Sequence, residues 1–273
     1  MSIERKAVTR RAGAAGEDVV AVEEPLDIRV AGETVAVTMR SPGADHELAL
    51  GFLFAEGVLR ELDDVGQVFH CGRSDDDGYG NAIEVTPAPG AHLVLKRVDA
   101  ARRGTLTTAA CGICGRQSID DLLEQCGPVP EFTPLPRELL LRAPELLRPR
   151  QAAFDATGGV HAAAVLSREG VVLASAEDVG RHNAVDKAIG SLLRQRQIPA
   201  VRAPGGPEVL VVSGRASFEI VQKAAVARLA AVVSVSAASS LAIDLARRSG
   251  LVLAAFARRG TAQWYAGGDR VSG

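Results

Sequence analysis

The sequence predicts an α/β protein in two parts, a smaller strand-rich region followed by a larger layered core. Two observations predict it. In the first third, short apolar segments alternate with polar residues at a period of two, the pattern of half-buried strands. In the second half, apolar runs at 209–213, 232–236 and 251–256 alternate with helical spacing at 179–197, 216–229 and 239–249. Strands that alternate with helices need crossover connections, which gives a largely parallel sheet with helices on its faces, a three-layer core. Of the 273 residues 47% are apolar, enough to bury such a core without disulfide staples.

Taken in order, residues 1–18 are polar and rich in Arg, Ala and Gly, the composition of a flexible arm. Residues 19–104 form the strand-rich region. Segments 19–30 and 34–39 alternate around Ala31-Gly32 as a hairpin does. The run 46–59, with Leu48, Leu50, Phe52, Leu53 and Phe54 and an end near Gly57, is expected as a short buried helix. Strands follow at 65–71, 82–86 and 92–98, with Asp75-Asp76-Asp77-Gly78 as a loop tip. Residues 105–135 hold a Cys-x-x-Cys loop, a helical stretch at 118–125 and most of a proline-rich connector formed by Pro128, Pro130, Pro134 and Pro136. Residues 136–273 form the α/β domain. It opens with a helical segment over 136–154, interrupted near Pro144 and Pro149 because proline removes a donor and clashes with the preceding turn. A hairpin of 161–166 and 171–175 turns at Arg168-Glu169-Gly170, the alternating strands and helices follow, and a last strand covers 262–265.

The charge balance excludes some functions. Lysine plus arginine is 31 and aspartate plus glutamate 33, a net charge of -2, so nothing electrostatic calls for nucleic acid or an anionic membrane. No apolar run reaches the roughly 18 residues of a membrane span. The first residues lack the apolar stretch of a signal peptide, so the expected location is the cytoplasm. Thiols stay reduced there, and a close cysteine pair is then catalytic or metal-binding more often than a structural disulfide.

The cysteines are Cys71, Cys111, Cys114 and Cys126. Cys71 and Cys126 have the settings of small packed residues. The pair in Cys111-Gly112-Ile113-Cys114-Gly115 is different, because glycines flank it and a helical segment follows. Backbone N–H groups at a helix start stabilise a thiolate, lowering a thiol pKa from about 8.5 towards neutrality. Such a thiolate can take up sulfur as a persulfide; the same geometry serves disulfide exchange or half of a zinc site. A thioredoxin-like protein carries its pair early in a short α/β chain, unlike this one. A structural zinc site needs four ligands, and no second Cys-x-x-Cys or His-x-x-x-His is present. A zinc deaminase needs a His-x-Glu or Cys-x-Glu segment and a proline before its pair, whereas Ala110 precedes Cys111. No metal site is therefore assigned. Spacing alone favours sulfur or redox chemistry and leaves metal binding and an inert pair open.

Further polar segments sit at junctions of the second half. Thr157-Gly158-Gly159-Val160-His161 opens the hairpin. Glu177-Asp178-Val179-Gly180-Arg181-His182-Asn183-Ala184-Val185-Asp186-Lys187 opens the long helix, with Asp178, His182 and Asp186 at i, i+4 and i+8. That face is either solvated, with Asp178 as a cap, or part of a site. Ser213-Gly214-Arg215-Ala216-Ser217 and Ser236-Ala237-Ala238-Ser239-Ser240 both follow strands and open helices, a placement suited to anions. On successive parallel strands they would share the sheet edge where open α/β sheets bind ligands. Phe256-Ala257-Arg258-Arg259-Gly260-Thr261 sets an aromatic ring beside two guanidinium groups, suited to a base and a phosphate.

Together these segments resemble the formate dehydrogenase accessory sulfurtransferase family, FdhD, over most of the chain from about Val19. The resemblance implies a cytidine-deaminase-like three-layer α/β core without zinc, and a homodimer. It implies a sulfur carrier that accepts sulfur from a cysteine desulfurase and delivers it to the molybdenum bis-pterin guanine dinucleotide cofactor, bound as substrate, before insertion into formate dehydrogenase. Cys111 would carry the persulfide, with Cys114 its partner in transfer or release. The stretch Phe256, Ala257, Arg258, Arg259, Gly260 and Thr261 would bind the cofactor, and His161, Ser213 and Arg215 are added by position. GDP would act as a mimic of the cofactor. A chaperone that only holds the cofactor, with redox-sensing cysteines, is the alternative.

Overall fold

A computed structural model describes residues 3–9, 15–72, 80–91, 128–199 and 204–273. Strand β1 (Ile3–Thr9) pairs antiparallel with β2 (Ala15–Ala21), so a hairpin stands inside the segment expected as an arm. The strand expected over 19–30 is thereby divided, its first residues in β2 and the rest in β3 (Glu24–Val30). β3 turns back into β4 (Glu33–Arg40) through Ala31 and Gly32, with φ of 52° and 83°. Two successive positive φ values give a hairpin turn whose twist matches that of the strands. Helix α1 (Asp45–Ala55), β5 (Val65–His70) and β6 (Ala82–Pro87) complete this part. Among the described residues these strands form a four-stranded sheet in the order β4-β3-β6-β5. Alternation aims Leu26, Ile28 and Val30 inward, each at most 1% exposed. The expected strand at 92–98, loop tip at 75–78 and helix at 118–125 lie outside the described residues.

After β7 (Leu135–Pro136), helix α2 (Arg137–Leu147) contains Pro144 and gives way to a 3-10 turn, Arg148–Arg150, and to α3 (Ala152–Thr157). The hairpin of β8 (His161–Ser167) and β9 (Val172–Asp178) leads into α4 (Arg181–Arg194). Then β10 (Pro207–Val212), α5 (Phe218–Val226), β11 (Ala231–Ser234), α6 (Ser240–Ser249) and β12 (Val252–Arg258) alternate as the periodicity predicts. Strands β13 (Thr261–Ala266) and β14 (Val271–Ser272) close the chain, β14 pairing with β7.

Among the described residues the main sheet has six strands in the order β13-β12-β11-β10-β8-β9. It is mixed rather than largely parallel. Only β10, β11 and β12 run parallel, because β8–β9 and β12–β13 are hairpins whose tight turns force antiparallel pairing. Leu210, Val212, Val232 and Leu253 point into one core with α4, α5 and α6. Val209, Val211, Val233 and Val252 point into a second core with Leu139, Leu140, Ala143 and Leu147 of α2. Helices thus cover both faces of the sheet, the three-layer α/β core with a smaller strand-rich N-terminal region.

Helix α1 joins the two parts. A Cβ at Gly51 would fall 1.9 Å from the carbonyl oxygen of Asp186, and one at Gly190 would fall 1.9 Å from that of Glu47. Only glycine lets α1 and α4 cross this closely. The core continues through the crossing, from Leu26 and Ile83 of the small sheet to Ile189 and Leu210 of the large domain. Among the described residues no helix is long and apolar enough to cross a membrane.

Candidate functional site

β10, β11 and β12 end at one edge of the main sheet, and β8, running the other way, begins there. That topology gathers Ser213 beyond β10, Val235 beyond β11, Ala257 and Arg258 in β12, and His161 at the head of β8. They line a cavity of about 610 Å³ with Gly158, Gly159, Val160 and Arg259. The C-terminal part of α2 and the residues after it supply the opposite wall, through Pro144, Glu145, Arg148, Gln151 and Phe154.

Local chemistry holds each wall in place. Gly158, at φ 64°, ends α3 in the left-handed conformation, which a side chain would strain. The Thr157 hydroxyl donates to the Ala153 carbonyl at 2.7 Å and accepts the Gly159 N–H at 3.1 Å. The Glu177 carboxylate accepts the N–H groups of Ala153 and Phe154 at 2.9 and 2.8 Å, in the manner of a cap on α3. Ser213 is tied to β8 twice: its N–H donates to the Ala162 carbonyl at 2.9 Å, and its hydroxyl accepts the Ala162 N–H at 2.9 Å. A Cβ on Gly214 would stand 3.3 Å from His161 Nδ1 and 3.6 Å from Arg181 Cβ, so this turn lies flat against both side chains. Burial holds the His161 pKa below its ordinary 6.5, and Arg181 and His182 push it the same way. Its imidazole is neutral at pH 7 and can accept a proton.

The arginine-bearing turn is equally constrained. Arg259 and Gly260, at φ 51° and 71°, form a two-residue loop between the paired Arg258 and Thr261. The Thr261 hydroxyl donates to the Arg258 carbonyl at 3.0 Å. Phe256, at φ 51°, sits where the register shifts, and its N–H donates to the Ser236 carbonyl at 2.9 Å. Such a bulge re-aims the residues after it.

Of the residues singled out from sequence, His161, Ser213, Ala257, Arg258 and Arg259 meet in the large cavity. Phe256 and Thr261 line a neighbouring cavity of about 470 Å³, which shares Arg258 as its wall. Arg215 is exposed and Gly260 sits at the loop tip; neither lines either cavity. The ring in the large cavity is instead Phe154, 40% exposed, with the Arg148 guanidinium 5.8 Å from its centroid. Arg148 is also ion-paired with Asp155. Sequence reasoning missed Arg148, Gln151 and Phe154; the only signal was the basic Arg148-Pro149-Arg150 where a helix was expected to break. Among the described lining residues three guanidinium groups stand against the single carboxylate of Glu145, which suits an anionic ligand carrying a flat group.

The turns of Ser213–Ser217 and Ser236–Ser240 lie side by side as expected. The Ala216 N–H donates to the Ala237 carbonyl and the Ser239 N–H to the Ala216 carbonyl, both at 3.0 Å. The segment from Glu177 to Lys187, in contrast, is neither a solvated face nor part of the cavity. Asp178 closes β9 instead of capping α4, and Asp178, His182 and Asp186 are 0%, 6% and 2% exposed. Asp178 pairs with Lys187 at 2.6 Å and accepts the Ser41 N–H at 3.1 Å, while Lys187 donates to the Ser41 carbonyl at 2.7 Å. Asn183 donates to the Met39 carbonyl at 2.7 Å. His182 reaches Glu219 at 2.6 Å and the Ser217 hydroxyl at 3.1 Å, bracing the Ser213–Ser217 turn. Charged residues so placed fasten β4 and α5 to α4.

Cys111, Cys114 and Cys126 lie outside the described residues. Cys71 is half-buried, and its N–H donates to the Ala82 carbonyl at 2.9 Å. Among the described residues no group of three or more His, Cys, Asp or Glu could hold a metal ion.

Residues 21–272 match a family model described as the FdhD/NarQ family. A protein of Anaeromyxobacter dehalogenans named sulfur carrier protein FdhD is 52% identical over 262 residues, covering 96% of this chain and 91% of its own length. A protein of the same name from Streptomyces avermitilis is 44% identical over 275 residues, covering 98% of this chain and 95% of its own. The crystal structure of a candidate formate dehydrogenase accessory protein from Desulfotalea psychrophila superposes with a TM-score of 0.73 at 23% identity, over 99% of each chain. At that identity the likeness speaks for the fold.

Proposed function

Because the chain belongs to the FdhD/NarQ family, we propose that it is a sulfur carrier serving formate dehydrogenase. In this reading Cys111 takes a sulfane sulfur from the persulfide of a cysteine desulfurase, and the sulfur goes to a molybdenum bis-pterin guanine dinucleotide substrate. The near-full-length similarity to sulfur carrier proteins carries the reading. The cavity supports it, because guanidinium groups and an exposed aromatic ring match the diphosphate and base of a guanine nucleotide arm.

The sulfur chemistry balances on the two thiols. The Cys111 thiolate attacks the outer sulfur of the donor persulfide, and the desulfurase cysteine leaves as its thiolate. The Cys114 thiolate then attacks the Cys111 sulfur, a Cys111–Cys114 disulfide forms, and hydrosulfide departs to the acceptor. Two electrons pass from the thiol pair to the sulfane sulfur, and two equivalents of an external thiol return the disulfide to the dithiol state, leaving as their own disulfide. In this reading His161, which lines the cavity and whose pKa burial lowers, exchanges a proton with the bound cofactor.

The test is intact-protein mass spectrometry after anaerobic incubation with a cysteine desulfurase and cysteine, then peptide mapping. We expect one added sulfur on the peptide bearing Cys111 and Cys114, absent in Cys111→Ala. An unmodified pair beside an active desulfurase would leave the protein a cofactor chaperone with redox-sensing cysteines.

A further inference from the structure

One polar side chain in the cavity is left unexplained by the walls around it. Gln151 is 7% exposed and lines the cavity, yet its carboxamide has no hydrogen-bond partner among the described residues. Only its backbone is engaged: its N–H donates to the Arg148 carbonyl at 3.3 Å, and its carbonyl accepts the Asp155 N–H at 3.0 Å. The residue is buried but its carboxamide atoms still reach solvent through the cavity, so a ligand there would meet a free donor and a free acceptor. Glu145 lines the same wall and brings the one carboxylate among the described lining residues, while Phe154 adds its exposed ring.

We propose that Gln151 and Glu145 select the base of the bound nucleotide, and that they select guanine. The inference rests on reading the cavity as a nucleotide site with Arg258 and Arg259 at the phosphate end. A carboxamide presents a donor and an acceptor side by side, and its donor meets the O6 of guanine. Turned over, it would meet adenine equally well, so Gln151 alone does not discriminate. Glu145 does. A carboxylate accepts from the adjacent N1–H and N2–H donors of guanine, whereas adenine offers ring-nitrogen acceptors there and is repelled.

Calorimetric titration with GDP, ADP and inorganic diphosphate tests this on the full chain. The wild type should bind GDP in preference to ADP. Gln151→Ala should lose about tenfold or more in GDP affinity, the value of one to two hydrogen bonds, and keep its affinity for inorganic diphosphate. Gln151→Glu, nearly the same shape but without the donor, should weaken GDP likewise, and Glu145→Ala should narrow the preference over ADP. Arg258→Ala should weaken GDP and diphosphate alike. Unchanged GDP affinity in both Gln151 variants would overturn the inference while leaving the nucleotide site standing. Equal losses for GDP and diphosphate in both would overturn it too, marking Gln151 as a structural residue. No binding of GDP by the wild type would remove the nucleotide site itself.

Discussion

Single residues in this chain are decided by burial as much as by identity. Complete burial pushes the Asp186 carboxyl up from 3.8 to about 6, against the pull of Lys223 at 2.6 Å. Burial also works against the Lys223 ammonium, but Asp186, Glu56 and Glu219 hold its pKa above the ordinary value. Between about pH 4 and 6 the folded chain therefore keeps a proton on Asp186 that the unfolded chain releases. The stability this group contributes is full below that window and is lost as pH rises through it. Asp186→Asn should flatten the dependence of urea unfolding free energy across the window. At neutral pH the same change strands a buried ammonium and should cost about 3 kcal/mol or more, most of it recovered by adding Lys223→Met. The spacing of Asp178, His182 and Asp186 was visible in the sequence. Whether that spacing meant a wet face or a buried network was not, because helical periodicity marks a shared face without saying what covers it.

At the scale of elements, the crossing of α1 and α4 depends on two glycines whose importance no local pattern announces. Gly51 lies mid-helix in an apolar run and Gly190 mid-helix in an amphipathic one, positions where glycine otherwise weakens a helix by roughly 1 kcal/mol. The added methyl of Gly51→Ala or Gly190→Ala meets a backbone carbonyl, which cannot rotate away. Each substitution should destabilise the protein by about 3 kcal/mol in urea unfolding despite alanine's better helix propensity. A neutral or stabilising result would mean the helices separate at little cost. Turn chemistry was more legible: Ala31-Gly32 reverses the chain where expected, as does Arg168-Glu169-Gly170. The bulge at Phe256 was not legible. It arises from pairing with β13 and turns Phe256 away from the cavity that Arg258 and Arg259 share.

For the whole molecule, one hydrophobic core runs from the small sheet through α1 into the main domain. The buried pair Asp178–Lys187 adds a polar fastening, since both residues also hold Ser41 at the end of β4. The described parts should therefore unfold together, with calorimetric and van't Hoff enthalpies equal. Lys187→Met should keep the single transition but lose about 3–5 kcal/mol, because Asp178 would be left charged and buried at 0% exposure. Two separate transitions in the wild type would show that the crossing of α1 and α4 does not couple the parts. The sequence by itself determined the order of strands and helices in the second half, the hairpin turns and the family, since each rests on local periodicity, turn residues or contiguous motifs. Only the tertiary structure decided that the sheet is mixed, that Gln151, Arg148 and Phe154 face Arg258 across one cavity, and that the charged segment opening α4 is buried. Those outcomes depend on contacts between residues tens to hundreds of positions apart, and no local pattern encodes which distant side chain arrives to fill a given space.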